Sequence, residues 1–127
     1  MSLLEENKEL VRRFFNEVMN TGNVEAVGEF LVTNSFFFGF MQKLVAELAT
    51  GIPGAQINID ELFGEDDKIT VCVTLNGANS GPMLGHPPTN KSVTINGIYV
   101  FTVKNGKIIS MKFASDMAQQ LWLPAST

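Results

Sequence analysis

The sequence predicts an α+β domain over residues 1–127, in which three N-terminal helices pack on a strongly curved antiparallel sheet that forms a cone, followed by a short C-terminal helix. Three observations support this fold class. Apolar residues recur at helical spacing up to residue 51, they alternate with polar residues from residue 56, and KNGK is a strong hairpin signal. Because helices that accompany an antiparallel sheet cover one of its faces, we expect a ligand site on the covered face.

The N-terminal half contains three predicted helices. The first begins after Ser2, which forms a capping-box pattern with Glu5, and extends to about residue 19. A short second helix begins near Asn23, with apolar residues at positions 26, 27, 30 and 31. After the aromatic link NSFFFGF, apolar residues at 41, 44, 45 and 48 predict a third helix, which TGIPG ends.

The C-terminal half contains four predicted strands. QINIDELF is the first, and KITVCVTLN alternates apolar and polar side chains as the second. A loop rich in glycine and proline, GANSGPMLGHPPTNK, leads to SVTINGIYVFTV and KIISMKFAS, which a turn at Asn105 and Gly106 joins. Residues 117–122 predict a last helical turn before Pro124.

Charge and composition disfavour several classes of protein. The net charge of -4 opposes a phosphate backbone, and the lysines after residue 67 are scattered, so we expect no binding to nucleic acid. No apolar run reaches the roughly 18 residues of a membrane span, and the acidic N-terminus is unlike a signal peptide, which predicts a cytoplasmic protein without a membrane partner. The single Cys72 lacks the partners of a disulfide or a metal cluster and is expected to be a packed thiol.

Three stretches resemble one protein family over essentially the whole chain: EENKELVRRFFNEVMNTGNVEAVGEFL, GPMLGHPPTNKSVTINGIYVFTVKNGKI, and an aspartate followed by MAQQLWLP. The sequence is similar to the SnoaL-like polyketide cyclases (ester cyclase-like) of the nuclear-transport-factor-like superfamily. This resemblance implies an α+β cone with a cofactor-free pocket, in which an aspartate near the end of the last strand acts as acid and base in an intramolecular aldol condensation. Asp116 matches that aspartate. The resemblance also implies a homodimer through the outer sheet face, with which the apolar stripe Ile98, Val100 and Met111 is compatible.

The chain departs from the family pattern at two places. Where family members commonly carry EHWEVWD, this chain has SMKFASD, so that Met111 replaces the histidine while Lys112 and Ser115 replace the tryptophans. The family's Asp-His pair after the second helix corresponds to the run of phenylalanines at residues 36–38. The pocket therefore lacks polar partners that the family pattern provides, and turnover through Asp116 stays open.

Strand pairing gives a first estimate of the pocket surface. A two-residue turn at Asn105 and Gly106 pairs Val103 with Ile108 and, counted onward, Ile95 with Asp116. One face then carries Asp116, Lys112, Tyr99 and Phe101, and the other carries Ile98, Val100, Ile109, Met111 and Phe113; a bulge would reverse the assignment. Together with the helical and linking aromatics, the candidate substrate-binding residues are Phe15, Phe36, Phe38, Tyr99, Phe101 and Lys112.

Asp116 has two interpretations. As a catalytic acid it would need a pKa raised toward neutrality by burial. As the cap of the last helix, with Gln119 three residues on, it would accept backbone hydrogen bonds that lower the pKa. His86, in the Gly-Pro loop, is expected to be a surface residue, and the phenylalanines at residues 36–38 fit either a substrate wall or a buried link.

These features predict a protein that binds a small, largely apolar molecule and acts as a cofactor-free cyclase or isomerase through Asp116. The alternative is a non-catalytic module for ligand binding or dimerisation, favoured by the missing histidine and tryptophans. A ketosteroid-isomerase-like enzyme is a weaker alternative, because it would need a second carboxyl group in the pocket, for which Asp60, next to Glu61, is the strand-borne candidate.

Overall fold

The computed structural model describes residues 2–123 and confirms the predicted α+β fold class. The helices are α1 (Leu3–Phe14), α2 (Val27–Phe30), α3 (Phe36–Gly51) and α4 (Met117–Leu121), and the strands are β1 (Gln56–Glu65), β2 (Lys68–Ala78), β3 (Ser92–Lys104) and β4 (Lys107–Ser115). A π-helical turn, Phe15–Met19, continues α1, and a 3-10 turn, Val24–Ala26, leads into α2. Pro124, the predicted stop signal after the last helix, lies outside the described residues.

The first helix begins where the sequence predicts. The Ser2 hydroxyl accepts a hydrogen bond from the Glu5 backbone N–H at 3.1 Å, which satisfies one of the free donors of the first turn. Farther along, Phe14, Phe15 and Val18 are completely buried, so this face of the helix packs on the sheet. None of the helices within residues 2–123 is long and apolar enough to cross a membrane.

Helix α3 begins earlier than predicted, because the aromatic link belongs to it. The Ser35 hydroxyl caps its start by accepting a hydrogen bond from the Phe38 N–H at 3.3 Å, so the phenylalanines at residues 36–38 form the first turn. Clustered aromatic residues and Gly39 have low helix propensity, which is why this segment resembled a link. The helix ends at Gly51, as TGIPG predicts.

The sheet has the order β1-β2-β3-β4, is antiparallel throughout and is not closed, so β1 and β4 are its edges. The β2–β3 register is unbroken, from Lys68 opposite Thr102 to Ala78 opposite Ser92. Along β2 the predicted alternation is confirmed. The buried residues of the two central strands are Ile69, Val71, Val73, Leu75, Val93, Ile95, Tyr99, Phe101 and Val103.

A bulge in β4 overturns the predicted pairing with β3. Val103 pairs with Ile108 as expected, but Thr102 pairs with Ser110, so Ile109 is an extra residue. Since one inserted residue moves every later side chain to the opposite face, the predicted pairing is wrong beyond it. Phe101 lies opposite Met111, and Tyr99 lies opposite Phe113, on the face that the helices cover.

Two predicted groupings change as a consequence of this bulge. Lys112 is exposed and pairs with Val100, on the outer face of the sheet, so it does not share a surface with Tyr99. Met111 is only 7% exposed and belongs to the core, so it is not part of an outer apolar stripe with Ile98 and Val100.

The loop of residues 79–91 is fastened to the end of α3 by a buried asparagine. Asn79 is 1% exposed, its Nδ2 donates to the Gly51 carbonyl at 2.8 Å, and its Oδ1 accepts from the Thr89 N–H at 2.8 Å. Gly81 also donates its N–H to the Gly51 carbonyl. A Cβ at Gly81 would collide with the carbonyl oxygen of Thr50, so the close approach of loop and helix requires glycine there.

Candidate functional site

A narrow apolar cleft lies between α3 and the covered face of the sheet. Leu44 and Leu48 of α3 form one side, and Val73, Gly97 and Tyr99 of the central strands form the other. Its free volume is about 20 Å³, which is enough for roughly one water molecule. The interior of the predicted cone is therefore largely filled by side chains.

Tyr99 contributes a buried hydroxyl group to this cleft. The residue is 4% exposed, and its ring packs on Phe15, Phe101 and Phe113 with centroid distances of 5.3, 5.5 and 4.7 Å. Burial raises its pKa far above the usual value, and no hydrogen bond or charge from the described residues contributes to that shift. Among the side-chain hydrogen bonds within residues 2–123, none involves the Tyr99 hydroxyl. Tyr99 therefore lines the cleft as a protonated phenol whose hydroxyl has no hydrogen-bond partner among the described residues.

Gly97 makes the room beside Tyr99. A Cβ placed on Gly97 would lie 3.4 Å from Val73 Cγ2 and 3.7 Å from Tyr99 Cε1, which are ordinary contact distances. Glycine at this position therefore leaves space beside Tyr99, although a residue with a Cβ would also fit there. The sequence analysis missed this residue, although the alternation of Ile95 and Tyr99 puts position 97 on the same face and a glycine inside a strand often marks a site of close approach.

Asp116, the predicted catalytic residue, is not among the residues that line the cleft, although its neighbours Ser115 and Met117 are. Its carboxylate accepts two hydrogen bonds from Asn96: the backbone N–H donates to Oδ1 at 2.7 Å, and Nδ2 donates to Oδ2 at 3.1 Å. Asn96 is exposed and lies on the outer side of β3, next in sequence to the inward-facing Gly97.

These contacts decide the charge of Asp116. Partial burial acts to raise its pKa, but hydrogen bonds from the Asn96 backbone and side chain and from Gln120 outweigh it, so the pKa is below its usual value. Asp116 is the N-cap residue of α4, yet its side chain caps none of the helix N–H groups. The predicted capping pair with Gln119 is therefore wrong, and Asn96 provides the stabilisation instead.

The other predicted site residues are dispersed. Phe15 and Phe101 are completely buried in the aromatic core with Phe14, at centroid distances of 5.7 and 6.2 Å, and do not line the cleft. Phe36 is 80% exposed, which rules it out as a wall of this cleft in the present structure. Phe38 is half-buried against the core, also outside the cleft.

A second, larger cavity adjoins the cleft. This surface groove has a volume of about 210 Å³ and lies between the turn after α1, the last turns of α3 and the start of β1. Leu48, Ile57 and Leu75 line both the groove and the cleft. Ile57 is held in place by Asn20, whose Oδ1 accepts from the Ile57 N–H at 2.7 Å and whose Nδ2 donates to the Ile57 carbonyl at 3.0 Å.

The histidine and the cysteine of the described chain lie outside the cleft. His86 is exposed, as predicted, and its ring stacks on Trp122 at 4.3 Å, which joins the 79–91 loop to the C-terminal end of α4. Cys72 lies on the outer sheet face, opposite Glu61. Burial and the nearby Glu61 raise the pKa of its thiol, which disfavours the reactive thiolate.

Comparison with known proteins gives the same architecture. The profile of a family described as SnoaL-like polyketide cyclase matches residues 9–121. A protein assigned as a SnoaL-like polyketide cyclase from Jannaschia sp. CCS1 is 24% identical, with a TM-score of 0.80 and 98% of each chain covered. TsrD from Streptomyces laurentii is 19% identical, with a TM-score of 0.81, covering 96% of this chain and 98% of that chain. At such identities these structures establish the fold alone. No curated protein sequence matches the chain.

Proposed function

The chain belongs to the SnoaL-like polyketide cyclase family, and from that premise we propose that it binds a small, largely apolar carbonyl compound in the cleft beside Tyr99. The observation that carries this proposal is the buried Tyr99 in the cleft lining, whose hydroxyl makes no hydrogen bond within residues 2–123. Because burial keeps the phenol protonated, it can donate a hydrogen bond, and a carbonyl oxygen is a neutral acceptor whose transfer into an apolar cleft costs far less than that of a charged group.

A ligand must enlarge the cleft, whose free volume is about 20 Å³. Met117 lines the cleft from α4, is only half-buried, and has a flexible side chain that can change rotamer at little cost. Gly97 leaves a second direction open beside Tyr99. Ligand binding therefore requires side chains that now fill the cleft to move aside, because the cleft is too small to accept a ligand without this movement.

Two probes of similar shape test this proposal. Acetophenone carries a carbonyl group, and ethylbenzene lacks it. We expect the wild-type protein to bind acetophenone about 5-fold more tightly than ethylbenzene, the equivalent of one hydrogen bond of about 1 kcal/mol. Tyr99→Phe should abolish this preference and keep the affinity for ethylbenzene unchanged. NMR titration of the leucine, isoleucine and valine methyl groups measures both affinities. A preference that survives in Tyr99→Phe, or no binding of either probe, would contradict the proposal.

Catalysis is the second candidate function, and the position of Asp116 between the cleft-lining residues Ser115 and Met117 favours it. In this proposal a linear polyketide ester binds with one carbonyl oxygen on Tyr99. The Asp116 carboxylate removes a proton from the carbon next to another carbonyl, and the resulting enolate carbon bonds to the carbonyl carbon that Tyr99 polarises. The oxygen of that carbonyl takes up the proton as a hydroxyl group. A lowered pKa suits Asp116 to begin as a base, not as an acid.

We also propose that the outer sheet face pairs two copies of the chain. Phe63 and Ile98 are 54% and 50% exposed there, on different strands. The outer surface of β1 carries Glu61, whereas that of β4 carries Lys112. A two-fold axis parallel to the strands places β1 of one protomer over β4 of its partner, so that opposite charges meet around an apolar centre.

A further inference from the structure

The groove and the cleft share part of their lining. Leu48 of α3, Ile57 of β1 and Leu75 of β2 line both cavities, and their exposed fractions are 6, 7 and 5%. We call these three residues the gate. Tyr99 lies on the inner side of the gate, and Asn20 and Ala49 lie on the outer side.

The chemistry of the groove differs from that of an ion-binding site. Its lining residues are all uncharged, and the oxygen and the nitrogen of the Asn20 side-chain amide each already form a hydrogen bond with the Ile57 backbone. Its volume of about 210 Å³ exceeds the roughly 150 Å³ of an apolar cavity that accepts benzene. The groove therefore suits a neutral, apolar part of a molecule.

We propose that the groove and the cleft are two compartments of one binding site, joined when the gate opens, so that the ligand is an elongated neutral ketone with its carbonyl at Tyr99 and its alkyl chain in the groove. This inference rests on the proposed function of the cleft. It adds the shape of the ligand, the side from which it enters and the residues that select its length.

Leu48 is the moving part of the gate. Ile57 is β-branched, which restricts its χ1 angle, and its backbone is paired with Leu75 on one side and held by Asn20 on the other. Leu75 belongs to a central strand and is paired with Ile57 and Ile95. Leu48 lines both cavities from the helix and is not branched at Cβ, so its χ1 angle is less restricted than that of Ile57. A rotamer change of this one side chain therefore opens the passage.

Ketones of two lengths test the gate. Acetophenone reaches only the cleft, whereas hexanophenone needs the passage to the groove. We expect Leu48→Ala to raise the affinity for hexanophenone at least 10-fold more than that for acetophenone. The matched control is Leu44→Ala, one helical turn earlier, which lines the cleft but not the groove and should raise both affinities equally.

Filling the groove gives a second test that leaves the core intact. Ala49 lines the groove, is exposed and does not line the cleft, so Ala49→Leu should fold normally. We expect this variant to weaken hexanophenone binding at least 10-fold and to leave acetophenone binding unchanged, as measured by methyl NMR titration.

The outcomes separate this inference from the function on which it rests. If Ala49→Leu binds hexanophenone as the wild type does, or if Leu48→Ala and Leu44→Ala behave alike, the two-compartment site is overturned, while acetophenone binding that depends on Tyr99 still supports the cleft. If neither ketone binds the wild type or any variant, both proposals fail.

Discussion

At the scale of single residues, Asp116 has a different set of contacts from the one the sequence suggested. Asp116 is held by the backbone and side chain of Asn96, at 2.7 and 3.1 Å. These bonds stabilise the charged form, so the carboxylate is ionised at neutral pH. A residue with this environment serves as a structural acceptor or begins a reaction as a base, because at neutral pH it holds no proton to donate.

Replacement of Asp116 by asparagine separates these roles. A folded-state pKa below the unfolded value stabilises the fold above the unfolded pKa, and this contribution is lost as the pH falls through the folded pKa. We expect Asp116→Asn to lower the free energy of unfolding by about 1 kcal/mol at pH 7 and by less at pH 2. Urea denaturation at both pH values measures the difference. Asp66→Asn, which also removes one negative charge but from an exposed turn, is the control for the change in net charge.

The same variant tests catalysis. If Asp116 is the base, ring closure of a linear polyketide ester should proceed at a constant rate from pH 5 to pH 8, because the carboxylate is already ionised there, and should fall only in stronger acid. Asp116→Asn should lower kcat at least 100-fold. Product formation followed by absorbance gives the rate. A rate that rises in acid, or full activity in Asp116→Asn, would exclude this role.

At the scale of elements, periodicity predicted nearly all of the fold and failed where a single residue changes the register. The strands β2, β3 and β4 match the predicted segments closely, because alternation and the turn at Asn105 and Gly106 are local signals. The bulge at Ile109 has no local signal, because KIIS has the composition of an uninterrupted strand. The predicted grouping of Lys112 with Tyr99 depended on that register and was wrong for that reason.

The 79–91 loop depends on one residue that the sequence did not single out. Asn79 joins the loop to α3, and its replacement leaves the half-buried Thr89 N–H without its acceptor and the Gly51 carbonyl with Gly81 as its remaining donor. We expect Asn79→Ala to lower the free energy of unfolding by about 3 kcal/mol and Ser80→Ala, at the exposed neighbouring position, to change it by less than about 0.5 kcal/mol. Urea denaturation measures both values. An unchanged midpoint for Asn79→Ala would refute this anchoring role.

At the scale of the whole molecule, the helices cover one face of the sheet and leave the other face open, while Val32 and Asn20 bond to the edge strands at Ile108 and Ile57. The covered face supplies the core and the cleft, whose presence followed from the pattern but whose small size did not, because side-chain packing determines free volume. The open face carries a mixture of threonines, charged residues and the exposed Phe63 and Ile98. An exposed face of this composition is typical of a moderately polar interface.

The proposed dimer makes a prediction about charge as well as about apolar contact. We expect the wild type to be dimeric by light scattering and Ile98→Asp to be monomeric, because it buries a charge in the apolar centre. Lys112→Glu should weaken association about 10-fold, and adding Glu61→Lys in the same chain should restore it, since the two-fold axis brings these positions of opposite protomers together.

Phe36→Asp is the matched control, because Phe36 is 80% exposed on α3, away from the outer face, and should leave the dimer intact. A wild type that stays monomeric at high concentration, or a double variant as weak as Lys112→Glu alone, would contradict this arrangement.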